Sequence, residues 1–69
     1  MTTEELKALL IDKRSKLGYS HQDVADLSGA NISRQFYGMI ESGERRPSVD
    51  VAKKIGSFLE IAWTIFFEV

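Results

Sequence analysis

Apolar residues recur at helical spacing from the start of the chain. Leu6, Leu9, Leu10, Lys13 and Leu17 follow that period, with Glu4, Glu5, Lys7, Asp12 and Lys16 around them. Acidic residues lead and basic residues trail, which suits the helix dipole. Gly18 is placed to stop this first helix. Ser20 then reads as an N-cap, with Asp23 three residues later in a near-capping box. The helix predicted over 22–28 buries Val24 and Ala25, with Leu27 as a further candidate, and ends at Gly29. The turn 29–32 holds two residues that tolerate positive φ, Gly29 and Asn31. Ser33 caps a third helix over 34–42, whose inward face is Phe36, Tyr37 and Ile40, and Gly43 stops it. After the loop 44–47, Ser48 caps a fourth helix over 49–59 that buries Val51, Ala52, Ile55, Phe58 and Leu59. The tail 61–69 carries Trp63, Ile65, Phe66 and Phe67 and is expected to add a last helical turn or two. A strand there would have nothing to pair with. The prediction is an all-α fold, a compact bundle of four to five short helices around one shared core.

Composition narrows the function. The chain has 69 residues, 43% of them hydrophobic and 28% charged, so it has the makeup of one small globular domain spanning 1–69. With no Cys there is neither a disulfide framework nor a thiolate metal site. His21 is the one histidine, so a multi-histidine metal site or a histidine-dependent nucleophile cannot be assembled within one chain. Asp23 and Asp26 share a helix face but lack a third ligand, and no glycine-rich phosphate loop is present. The expectation is therefore no enzyme, no metal and no cofactor. The first residues are polar and acidic, unlike a signal peptide. The longest apolar run, 61–67, is interrupted by Thr64 and too short for a bilayer, so a cytoplasmic protein is the default. The formal net charge is −1, so a polyanion partner must be argued from where charges sit.

The segment 18–47 is the informative one. Two short helices joined by a tight, glycine-containing turn make a helix-turn-helix candidate over about residues 20–43. The outward face of the second helix offers Ser33, Arg34, Gln35, Gly38 and Met39. Arg pairs bidentately with guanine O6 and N7, and Gln with adenine N6 and N7. Nine helical residues span about 13 Å, and the major groove is about 12 Å wide. Gly38 keeps that face low for close approach. Phe36 and Tyr37 follow the inward stripe and read as core rather than a base-stacking platform. Lys53 and Lys54 read as a solvated face. Trp63, Phe66 and Phe67 close the core or, if exposed, form a dimer surface.

These residues resemble the Cro/cI-like, or XRE-type, helix-turn-helix proteins, whose fold is lambda-repressor-like. The resemblance runs over nearly the whole chain: Arg14, 17–20, Val24 and Ala25, Gly29, the block 32–48, and 51–55. The block 32–48 is its specific part. The resemblance implies a transcriptional regulator, most often a repressor, that binds double-stranded operator DNA. A symmetric homodimer is expected as well, because one short helix reads only a few base pairs. Its second helix would lie across the DNA backbone and helix 34–42 would read the major groove. Carried over by position, Ser33, Arg34, Gln35 and Met39 would face bases or adjacent phosphates. Ser42, Arg45 and Arg46, with His21 and Gln22 at the start of the second helix, would meet phosphates. Arg14 and Glu41 match a structural ion pair tying the first helix to the end of the third. The chain departs from the pattern in three places. His21 stands where Gln is usual. Glu60 and Ala62 stand where Gly and a capping residue are usual. Ala30 and Asn31 lengthen the turn by two residues, to be absorbed as a bulge, by a helix start at Asn31, or by rotation of the reading helix. An alternative reading, motivated by the acidic balance and the apolar tail, is a protein-interaction module such as an antitoxin or partner-binding adaptor.

Overall fold

A computed structural model describes all residues, 1–69. Four α-helices follow one another, α1 (Thr3–Lys16), α2 (His21–Leu27), α3 (Arg34–Ser42) and α4 (Val49–Leu59), and a short 3₁₀ helix (Trp63–Phe67) ends the chain. No strand is present, so the tail resolves as a helical turn. Each α-helix begins on a side-chain cap. Thr2, Ser20, Ser33 and Ser48 accept hydrogen bonds from the backbone N–H groups of Glu5, Asp23, Phe36 and Val51. At the first two caps the reply is made as well, with Glu5 and Asp23 accepting from the N–H groups of Thr2 and Ser20 at 2.9 Å. Short helices depend on such caps, each worth about 1 kcal/mol, because nucleation is costly.

The core is continuous through all the helices. Leu6 and Leu10 of α1, Val24 of α2, Tyr37 and Ile40 of α3, Ala52, Ile55 and Leu59 of α4, and Ile65 and Phe66 of the last turn form one buried cluster with Ala30. α2 packs chiefly on α3, and the C-terminal turn packs on α4. Two expectations change here. α2 starts and stops one residue earlier than expected. Leu27 is 61% exposed, because at the last position of a seven-residue helix it has turned away from the core that Val24 occupies.

The lengthened turn is absorbed as a bulge, and α3 still starts after Ser33. Gly29 and Asn31 take left-handed conformations, with φ of 78° and 58°. The residue between them, Ala30, therefore points inward and joins the core, its N–H donated to Ser28 Oγ at 3.3 Å. At the far end Glu60 is left-handed too, with φ 61°, where a glycine would be free of strain. The conformation is needed because the chain folds straight back over Gly56. A Cβ there would lie only 3.0 Å from the Ile61 carbonyl oxygen and Trp63. Glu60→Gly is expected to stabilise the fold by about 1 kcal/mol, since the left-handed penalty for a non-glycine residue exceeds glycine's extra entropy at a helix end. Urea unfolding at neutral pH checks it; an unchanged or lowered midpoint would contradict the strain argument.

Candidate nucleic-acid interface

The helix-turn-helix pair is held by one carboxylate. Glu41 lies at the end of α3 with its side chain 6% exposed. Its Oε1 accepts from Arg14 Nε at 2.8 Å and from the Tyr37 hydroxyl at 3.1 Å. Its Oε2 accepts from Arg14 Nη2 at 3.3 Å and pairs with His21 Nε2 at 2.7 Å. Arg14 also donates to the Tyr19 carbonyl at 3.0 Å, bracing the link between α1 and α2. One group thus ties α1, α2 and α3 together. Burial alone would raise the Glu41 pKa, but the hydrogen bonds from Arg14, His21 and Tyr37 overcome it and hold the carboxyl below its usual range. The same carboxylate, with burial as the larger cause, pushes the Tyr37 phenol up. It also raises Arg14, so all three keep their neutral-pH charge states.

In front of this network lies a polar basin of about 520 Å³, lined by Arg14, Ser20, His21, Gln22, Arg34, Gln35 and Gly38. No carboxylate and no apolar side chain lines it. The residues come from α1, the start of α2 and the first half of α3, so the docking of those helices creates the basin. Arg34 and Gln35 are exposed and make no hydrogen bond or ion pair within the chain. Gln22 is also exposed, with its amide donating to Asp26 at 2.8 Å. His21 is half-buried, edge-on to the Tyr37 ring, with Nε2 committed to Glu41 rather than to an outside group.

The other expected contact residues stand apart from the basin. Ser33 is exposed, with its hydroxyl oxygen accepting from Phe36 N–H at 3.0 Å. Met39 is half-buried, and the Ser42 hydroxyl donates back to the Met39 carbonyl at 3.1 Å. Arg45 and Arg46 border a different concavity, between α1, the end of α3 and the chain's last turn. Arg45 is exposed without a side-chain partner. The Arg46 guanidinium is turned to the C-terminal turn, donating to the Val69 carbonyl at 3.0 Å and lying 5.9 Å from the Phe67 ring centre. Sequence reasoning missed Tyr37 and His21 as partners of Glu41. The i, i+4 spacing of Tyr37 and Glu41 on one helix was the available signal.

A short helix docked across a second through a tight turn, with free Arg and Gln side chains on its first turn, defines a helix-turn-helix protein. The chain belongs to the helix-turn-helix family, whose model matches residues 10–66. The HTH-type transcriptional regulator YqaF of Bacillus subtilis (strain 168), itself uncharacterized, is 46% identical over 63 residues, covering 91% of this chain and 80% of its own length. No solved structure matches the chain. No helix is long and apolar enough to cross a membrane.

Because Glu41 is ionised in the fold at a pKa below its unfolded value, its contribution is present above the ordinary carboxylate range. It is lost as pH falls through the lowered folded value. Glu41→Gln leaves the Arg14 guanidinium without its counter-charge and is expected to cost about 3 kcal/mol at neutral pH. The gap to the parent protein should narrow in acid, where both chains are neutral at this position. Urea midpoints at neutral and acidic pH check it; a gap that is constant or widens in acid contradicts the assignment.

Proposed function

We propose that this chain is a transcriptional repressor that binds double-stranded operator DNA sequence-specifically, with α3 in the major groove. The observation that carries the reading is that Arg34 and Gln35 stand exposed side by side at the start of α3 with no partner within the chain. Free guanidinium and amide groups at that position are the types that pair with guanine and adenine edges. The match to the helix-turn-helix family and the similarity to an HTH-type transcriptional regulator support it. Ser33 and Met39 complete the base-facing edge, while His21 and Gln22 supply phosphate contacts at the basin. Arg45 adds a phosphate contact from its loop, and Arg46 does so if it leaves the C-terminal turn. Ser42 contributes by turning its hydroxyl proton from the Met39 carbonyl to a phosphate oxygen, together with the backbone beside it.

A nine-residue helix reads only a few base pairs, so a symmetric homodimer on a two-fold operator supplies the rest, with half-sites one helical turn apart. The interaction-module alternative loses part of its motive. Ile65 and Phe66 of the apolar tail are buried, and Trp63 and Phe67 pack against the core.

Selection from a random duplex pool should return a two-fold site. On the selected site Arg34→Ala is expected to lose about 1–3 kcal/mol, with little loss on random DNA. Arg45→Ala should weaken both alike and lower the salt dependence by about one phosphate. Equal losses from Arg34→Ala on selected and random duplexes would contradict base reading by this residue. Absence of any DNA binding at low salt, with a protein complex formed instead, would favour the adaptor.

A further inference from the structure

His21 stands in the basin with one nitrogen already assigned. An ionised carboxylate only accepts hydrogen bonds, and Glu41 is held ionised at neutral pH by its partners. The 2.7 Å contact from Glu41 Oε2 to His21 Nε2 therefore requires the proton on Nε2. In the neutral ring the other nitrogen, Nδ1, is then a bare lone pair. It has no partner within the chain. It lies 3.6 Å from where a Cβ on Gly38 would stand, which places it beside the basin floor that Gly38 lines.

The groups around the imidazole are known from each packed element. Arg14 faces it from α1. Glu41, Tyr37 and Arg34 face it from α3, along with the Gln35 amide. On its own helix, Ser20 and Gln22 border the basin, and Asp23 spends its carboxylate on the Ser20 N–H. The imidazole is the one group at the basin whose outward nitrogen changes from acceptor to donor on protonation.

We infer that DNA binding by this chain takes up a proton at His21 Nδ1, which becomes the donor to a backbone phosphate seated in the basin. A phosphate oxygen only accepts, so it is repelled by the Nδ1 lone pair and bound by Nδ1–H. Glu41 has the positioning role: it fixes the ring and its tautomer, so a single proton decides which way the outer nitrogen acts. The inference rests on the DNA-binding reading and adds to it a pH dependence carried by one named residue.

The test measures affinity for the selected duplex from about pH 5.5 to 8.5, the range in which imidazoles titrate. The parent chain is compared with His21→Gln, whose amide has the same hydrogen-bonding character at every pH. The parent's Kd should weaken on the alkaline side by up to about tenfold per pH unit, the slope of one linked proton. His21→Gln should give a flat profile. Calorimetry of the parent in two buffers of different ionisation enthalpy should show uptake approaching one proton in the upper part of the range. It decides the question even if His21→Gln does not fold. A flat profile for the parent, an unchanged slope in a folded His21→Gln, or no proton uptake overturns the inference while leaving DNA binding intact. Failure to bind any duplex at any pH overturns the DNA-binding reading itself, and the inference with it.

Discussion

A carboxylate taken out of water must be surrounded by donors or give up its charge. Glu41 is surrounded, by groups from α1, α2 and α3 at once. The placement of the polar basin follows from that. α2 and α3 are short, and the apolar contacts among the three helices tolerate sliding because they have no direction. A bidentate guanidinium, a phenol and an imidazole that must all aim at one pair of oxygens do not tolerate it. Replacing such a buried group by a well-packed apolar one is often neutral or favourable for stability, so its value here lies more in orientation than in energy. The angle at which α3 meets α2 decides where Arg34 and Gln35 point, and Glu41 is the only buried charged residue in the chain.

Net charge conceals the character of this surface. The chain is formally −1, yet the basin has two arginines and a histidine among its lining residues and no acid. The difference is one of placement. Asp12 and Asp50 are matched by Lys16 and Lys54 one turn further along their own helices. Glu5 and Asp23 serve as reciprocal caps at the starts of α1 and α2. The cations at the basin differ: Arg14 answers Glu41, whereas Arg34 answers nothing in the chain. Over the distance of a Debye length, about 8 Å at physiological salt, such local imbalance matters more than the total.

The parts legible in the sequence are those governed by near neighbours. Ser20, Ser33 and Ser48 were readable as caps because a cap is a three-residue event. Thr2 with Glu5 has the same spacing, and the same local rule makes it a cap. Helical period placed Val24, Tyr37, Ile40 and Ile55 correctly in the core, but it cannot tell which end residues reach it, and Leu27 does not. The Arg14–Glu41 contact came from a family resemblance, since residues 27 apart carry no local signal. Where the His21 ring would turn was beyond reach for the same reason. A histidine at a helix start faces outward or inward according to what the third helix presents, and α3 presents Glu41. The lengthened turn shows the opposite case. Asn31 and Gly29 advertised their tolerance of positive φ, and pairing two such residues turned Ala30 inward.

The C-terminal turn has a place in the same argument, through the loop after α3. That loop carries Arg45 and Arg46, and a free loop would hold its cations without direction. Here Pro47 is buried, and the Arg46 guanidinium reaches the Val69 carbonyl and lies near the face of Phe67. Phe67 in turn meets Trp63 edge-on, and Trp63 packs against the closely approached Gly56 and beneath Lys53 of α4. The strained residue Glu60 makes that arrangement possible, because it reverses the chain so that the aromatic side chains return toward α4 and the loop. Local strain at the end of α4 is thereby exchanged for order in the loop that follows α3. The basin at one end of the helix-turn-helix pair is positioned by a buried carboxylate, and the arginine loop at the other by an aromatic clasp. α3 runs between them with its first turn unencumbered.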